Sequence, residues 1–129
     1  MHSELTISHA DRRPMYLQIV EQIRRRIALG DWLSGQEIPS IRALAVSTRV
    51  SVITVKRAYL ELEHEGVITT RQGKGTFVSE NVQLQQDLRD RELDAHLAKA
   101  ADVGRELGLG IKDLEQRLRE VVRKKEGNR

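Results

Sequence analysis

Cysteine is absent from the 129 residues. That removes disulfides, thiolate zinc sites and cysteine nucleophiles together, and it fits the reducing cytoplasm in which this chain is expected to work. Aromatic residues make up only 3%, so any core must be mainly aliphatic. No apolar run approaches the roughly 20 residues that a membrane-spanning helix needs, and no membrane is expected as a partner. The opening "MHSELTISHADRRP" lacks the apolar stretch of a signal peptide. The four histidines are His2, His9, His64 and His96, and none stands at metal-ligand spacing or beside a nucleophile motif. Neither an enzyme nor a bound metal or cofactor is expected.

What the chain does have is an uneven distribution of charge. The net charge is only +3, from 22 basic and 19 acidic residues. Yet residues 38–60 hold Arg42, Arg49, Lys56 and Arg57 and no acid, and residues 66–79 hold Arg71 and Lys74 and no acid. Two acid-free basic segments in a nearly balanced chain suggest one local surface meant for a polyanion. A solvated positive face is the alternative.

Hydrophobic spacing divides the chain. Pro14 starts a first helix, with Tyr16, Ile19, Val20, Ile23 and Ile27 at the helical 3–4 spacing, ended by Gly30 and Asp31. "SGQEIPS" from Ser34 reads as loop. Ser40 reads as the N-cap of a short second helix with Leu44 and Ala45 facing inward. "RVS" is a tight turn, and Ser51 caps a third helix running to about Glu65 with Val55, Ala58, Tyr59 and Leu62 as its buried stripe. Gly66 is placed to stop it. "VITT" and "TFVS" read as a two-stranded hairpin around the turn "RQGKG". After Ser79 proline disappears and the pattern becomes charge-rich. "LGLG" from Leu107 splits this tail into helices at about 82–107 and 111–125. The expected domains are therefore 1–79 and 80–129.

The fourth helix carries two apolar stripes. Leu84, Leu88, Ala95 and Ala98 share one face, while Leu93, Leu97, Ala100, Gly104 and Leu107 fall on the opposite one. Two stripes suggest two neighbours, one being the chain's own domain and the other a second copy. The fifth helix adds Leu114, Leu118 and Val121. A homodimer joined through these residues is the expectation, and a kinked helix packing twice within one monomer is the alternative.

Three helices followed by a hairpin is the layout of a winged helix-turn-helix, so the fold class is mainly α with a small β-hairpin wing and a two-helix dimerisation tail. The major groove of DNA admits one α-helix, whose exposed N-terminal residues reach base edges. Here those are Ser51, Val52, Ile53, Thr54, Lys56 and Arg57. Val52 and Ile53 lie off the buried stripe. Exposed there, they suit thymine methyl groups; a partly buried cap contact is the alternative. Ser51 and Thr54 can donate hydroxyls to phosphates. At the wing tip, Gly73 and Gly75 let the backbone approach a groove, Arg71 and Lys74 supply charge, and Gln72 can read the minor groove.

The stretch "IPSIRALAVSTRVSVITVKRAYLELEHEGVITTRQGKGTFV" resembles the DNA-binding domain of the GntR family of bacterial transcription regulators. The matching positions include Pro39-Ser40, Arg42, Leu44-Ala45, Thr54-Val55, Arg57-Ala58-Tyr59, Leu62-Glu63, Glu65-Gly66 and Gly73 to Val78. "PMYLQIVEQIRRRIALGDW" is similar to the family's first helix, so the resemblance covers about residues 12–79. "AYLELEHEG" and the short two-helix tail resemble the YtrA subfamily, whose small C-terminal part dimerises. The resemblance implies a repressor that binds a two-fold symmetric DNA operator as a homodimer. In it, Ser40 and Arg42 act from the second helix, residues 51–57 sit in the major groove and Gly73 enters the minor groove. Family members often carry polar or basic residues, or proline and asparagine, where Val52 and Ile53 stand, so operator sequence does not transfer. A winged helix used for protein–protein contact is the competing reading. An unidentified small effector would bind between subunits, or between tail and DNA-binding domain, because two helices cannot enclose a pocket of several hundred Å³ alone.

Overall fold

The computed structural model describes residues 5–127; His2 lies outside them. The described residues form five helices and one three-stranded antiparallel sheet. Compactness divides the chain into two units, Met1–Asp90 and Arg91–Arg129. The division expected after Ser79 follows composition, whereas compactness carries the first unit on to Asp90.

Helix α1 (Met15–Ala28) begins just after Pro14, whose carbonyl accepts from Leu17 N at 3.1 Å. Ile19, Val20 and Ile23 are fully buried. The chain before it is held by a device that periodicity did not reveal. Gln22 pairs with the backbone of Thr6, accepting at 3.0 Å and donating at 2.5 Å, and Gln18 pairs with Ser8, accepting at 3.0 Å and donating at 3.1 Å. Gln18 is buried, and both of its amide atoms are satisfied, as a buried polar group requires. Leu5 is buried in the same core.

The stretch expected to be loop contains a strand. β1 (Glu37–Ile38) pairs antiparallel with β3, Glu37 opposite Phe77 and Ile38 opposite Thr76. Two residues carry too little pattern to show an alternation, so only the ladder exposes it. Helix α2 (Ile41–Thr48) starts at Ser40, whose Oγ accepts from Ala43 N at 3.1 Å. Arg49 turns the chain with φ 58°, the sole non-glycine residue with positive φ among those described. Ser51 then caps α3 (Val52–His64), accepting from Thr54 N at 3.2 Å.

α3 packs on α1 and α2 through Val55, Ala58, Tyr59 and Leu62. Tyr59 donates from its hydroxyl to Pro39 O at 2.6 Å, and burial raises the phenol pKa well above its ordinary value, so it stays a donor. Gly66, with φ 81°, ends the helix region. β2 (Ile68–Arg71) and β3 (Gly75–Val78) form the hairpin, and the strand order is β1-β3-β2. Ile38, Ile68 and Val78 close the core from this sheet, and Trp32 is buried among the aliphatics.

Helix α4 (Val82–Glu106) opens with Asn81 accepting from Leu84 N at 3.1 Å. Of its first expected stripe, Leu84 and Leu88 join the core, but Ala95 and Ala98 are exposed. In the second unit α4 is followed by α5 (Ile111–Gly127). Gly104 is buried there beneath Leu114: a Cβ on the glycine would stand 2.9 Å from a Leu114 methyl. These two residues, expected in a contact between chains, therefore already meet each other within one chain. Leu93, Leu97, Ala100, Leu107, Leu118 and Val121 are exposed.

Tyr59→Phe removes one buried hydrogen bond without changing the ring. It should lower stability by about 1 kcal/mol, read by urea unfolding followed through the fluorescence of the single, buried Trp32.

Candidate nucleic-acid interface

The packing of α3 decides what it shows to solvent. With its buried stripe fixed, Val52, Ile53, Lys56 and Arg57 face outward; Val52 is 46% and Ile53 81% exposed. Ser51 Oγ and Thr54 Oγ1 lie 2.8 Å apart, so the two hydroxyls are bonded to each other at the helix cap. Arg57 has a partner that the sequence did not suggest. Its guanidinium carbon stacks 3.8 Å from the centroid of the Tyr16 ring on α1. Such an Arg can still offer its edge donors while its face is held.

Arg42 projects from the start of α2 and lines two open concavities. One, of about 530 Å³, is bounded by Arg42, Ala45, Val46, Val50, Ser51 and Val52. The other, of about 290 Å³, is bounded by Glu37, Ile38, Ser40, Ile41, Arg42, Gly75 and Thr76. The structure thus brings Arg42 together with the head of α3 on one side and the wing base on the other. Sequence reasoning missed Val46, which is 80% exposed at the rim of the first concavity. Its signal was available: it lies one turn after Arg42 and off the Leu44/Ala45 stripe. Ser40 lies beside the second concavity, but its Oγ is engaged in capping α2.

At the wing tip, Lys74 N donates to Arg71 O at 2.9 Å, closing a turn over Gln72 and Gly73. Gly73 has φ 77°, and nothing lies within 4 Å of where its Cβ would be. That conformation requires glycine at the third position of a type II turn. Arg71 sits 5.2 Å from the Phe77 centroid. Gly75 also has positive φ, at 132°. Its missing side chain makes room for Glu37, whose carboxylate oxygen stands 2.8 Å from the Cβ position. No ion pair or hydrogen bond holds the charged heads of Arg42, Lys56 or Lys74 among the described residues, whereas Arg13, Arg24 and Arg26 all pair with carboxylates. No group of three potential metal ligands occurs among the described residues, and no helix there is long and apolar enough to cross a membrane.

Comparison with known proteins gives this geometry its context. Residues 15–78 match the family described as bacterial regulatory proteins, gntR family. The chain is 36% identical over 95 residues to the HTH-type transcriptional repressor YtrA of Bacillus subtilis, covering 66% of this chain and 73% of that protein. The chain belongs to the GntR family. Its fold is also that of a GntR family transcriptional regulator from Listeria monocytogenes, with a TM-score of 0.76 and 27% identity over 85% of this chain and 96% of the other. A structure of AraR(DBD) in complex with operator ORX1 is similar with a TM-score of 0.55 and 30% identity, covering 61% of this chain and all of that one. These GntR relatives are transcription regulators, and none is named as an enzyme.

Gly73→Ala tests the wing tip. No steric clash opposes the methyl group, so backbone conformation alone sets the cost. Stability should fall by about 1–2 kcal/mol, seen as a lower midpoint in thermal unfolding.

Proposed function

We propose that the first unit binds double-stranded DNA in a sequence-dependent way, and that a homodimer presents two such units to a two-fold symmetric operator to repress transcription. The observation that carries this reading is the outward face of α3. Its first turns offer Val52, Ile53, Lys56 and Arg57 on one exposed surface, and Arg42 lines one concavity with the head of that helix and another with the base of the wing. Apolar side chains of that kind suit thymine methyl groups, and unpaired cations suit phosphates. The operator complex of the related AraR domain and the repressor name of the related YtrA support it.

Selection of bound sites from a random duplex pool tests the reading directly, since it reports binding, sequence preference and half-site symmetry together. Arg42→Ala and Lys56→Ala should each weaken binding to the selected duplex. A lost base contact costs about 1–3 kcal/mol and relaxes preference at one position. A lost phosphate contact weakens all sequences alike and reduces the salt slope by about one. Fluorescence anisotropy across a salt series separates the two, and full affinity in both variants would discard this face as the interface.

The homodimer rests on burial in the second unit. Gly104 is the sole buried residue among those described there. Leu93, Leu97, Leu107, Leu118 and Val121 are between 44% and 63% exposed. Two short helices that bury so little need a partner surface, and a symmetric copy supplies one. Two half-sites then lie at a fixed spacing of about 34 Å or its multiples. Leu97→Asp would put a carboxylate into that contact. The variant should sediment as monomer where the wild type sediments as dimer, and it should lose affinity for a full operator while the first unit stays folded. A monomeric wild type would refute the dimer.

A further inference from the structure

The two acid-free segments of the sequence are not acid-free in space. β1 lies along the wing, in register with Glu37 opposite Phe77, while β2 places Arg71 opposite Gly75 and Thr69 opposite Phe77. Alternate residues of a strand share a face, so Glu37, Phe77, Gly75, Thr69 and Arg71 stand on one side of the sheet. The opposite side carries the buried Ile38, Ile68 and Val78. On the outer side Glu37 leans diagonally past Phe77 and lays its carboxylate against the bare backbone of Gly75, 2.8 Å from the absent Cβ. Glu37 lines the same open concavity as Arg42, Gly75 and Thr76. Glu37 is exposed and forms no ion pair or hydrogen bond among the described residues. An acid without an ion-pair partner therefore stands at the wing base, on a concavity that Arg42 also lines.

A carboxylate only accepts hydrogen bonds, so it has nothing to give a phosphate oxygen and repels it. We infer that Glu37 sets the strength of DNA binding: its carboxylate opposes the approach of DNA phosphates at the base of the wing and so weakens binding to every sequence. The inference rests on the proposed binding of duplex DNA. Attraction by cations is shared by every sequence, and it supplies nearly all non-specific affinity. One fixed negative charge in the contact subtracts from that shared part. Contacts made to base edges by the head of α3 are left in place, so specific and non-specific affinity fall together, and overall binding strength is what Glu37 sets.

The test uses the full chain with two labelled probes, a random-sequence duplex and a duplex selected from the random pool, each titrated by anisotropy over a salt series. Glu37→Gln keeps the shape and removes the charge. It should tighten binding to the random duplex about fivefold and steepen its salt dependence by about one cation. The selected duplex should gain by a similar factor, because the phosphate contribution is common to both. Glu63→Gln is the control: it makes the same change in net charge from an exposed site near the far end of α3, and should alter affinity by less than about twofold. Random-duplex affinity that is unchanged or weaker in Glu37→Gln overturns the inference. So does an equal gain in Glu63→Gln, which would assign the effect to total charge. A wild type that binds neither probe overturns the DNA-binding reading itself, and with it this one.

Discussion

The buried side of α3 constrains the rest of the first unit. Val55, Ala58 and Leu62 have no exposure and Tyr59 has 3%. At 3.6 residues per turn, fixing those four inward leaves no freedom in which residues point outward. α1 packs along this helix, and α2 and the start of β2 pack against it too. Two contacts secure its setting from the sides. Tyr59 reaches Pro39 just ahead of α2, and Arg57 lies over Tyr16 of α1. The second is notable because it ties a solvent-facing cation to the packing of another helix. The bidentate pair of Arg24 with Glu65 adds a bond between α1 and the end of α3. As a partly exposed ion pair it contributes little beside the apolar stripe.

The wing depends on the same core through a thin connection. A free two-stranded hairpin is only marginally stable. Here β1 adds a third strand on the other side of β3, and Ile38, Ile68 and Val78 anchor the sheet base in the apolar cluster. Gly35 N donating to Val78 O at 3.0 Å and Val78 N donating to Gln36 O at 2.8 Å extend that ladder toward the loop. The base is thus held from two sides, while the tip at Gly73 touches nothing within 4 Å of its Cβ position. A firm base with an open tip is what a loop needs if its backbone is to meet a surface of fixed shape.

Much of this was legible in the sequence, and the reasons are physical. Helices repeat their apolar residues over several turns, so α1, α2 and α3 announced themselves, and Ser40 and Ser51 marked their starts because a cap needs a side-chain oxygen there. The glycines at 66 and 73 stand where positive φ is needed. Interactions between elements left no such trace. β1 is two residues long, which is too short for a pattern. The stacking of Arg57 on Tyr16 joins positions on different helices. The clamp of Gln18 and Gln22 on Thr6 and Ser8 uses residues that otherwise read as ordinary polar positions. The approach of Glu37 to Gly75 left no trace for the same cause: Glu37 comes from a strand that the sequence did not declare. Among the candidate residues, exposure of Val52, Ile53, Lys56 and Arg42 followed from helix phase, while the concavities that join them needed the tertiary arrangement.

The two units meet the need to bury apolar surface in different ways. The first closes a core from α1, α2, α3, the sheet and the opening turns of α4, with Leu5 and Trp32 filling its edges. The second has one point of close internal approach, Gly104 under Leu114, and this fixes how α5 lies against α4 within that unit. Apart from this pair and the half-buried Leu109, the apolar residues described there are exposed. A side chain at position 104 would have to displace Leu114, so the glycine is accounted for by packing within one chain. The exposed leucines and valines are not. That asymmetry motivates assigning the residual surface of the second unit to another copy of the chain. It also separates the two tasks: the surface that meets DNA in the proposed function is built by the self-sufficient core, and the surface that pairs copies is built by the part whose burial is incomplete.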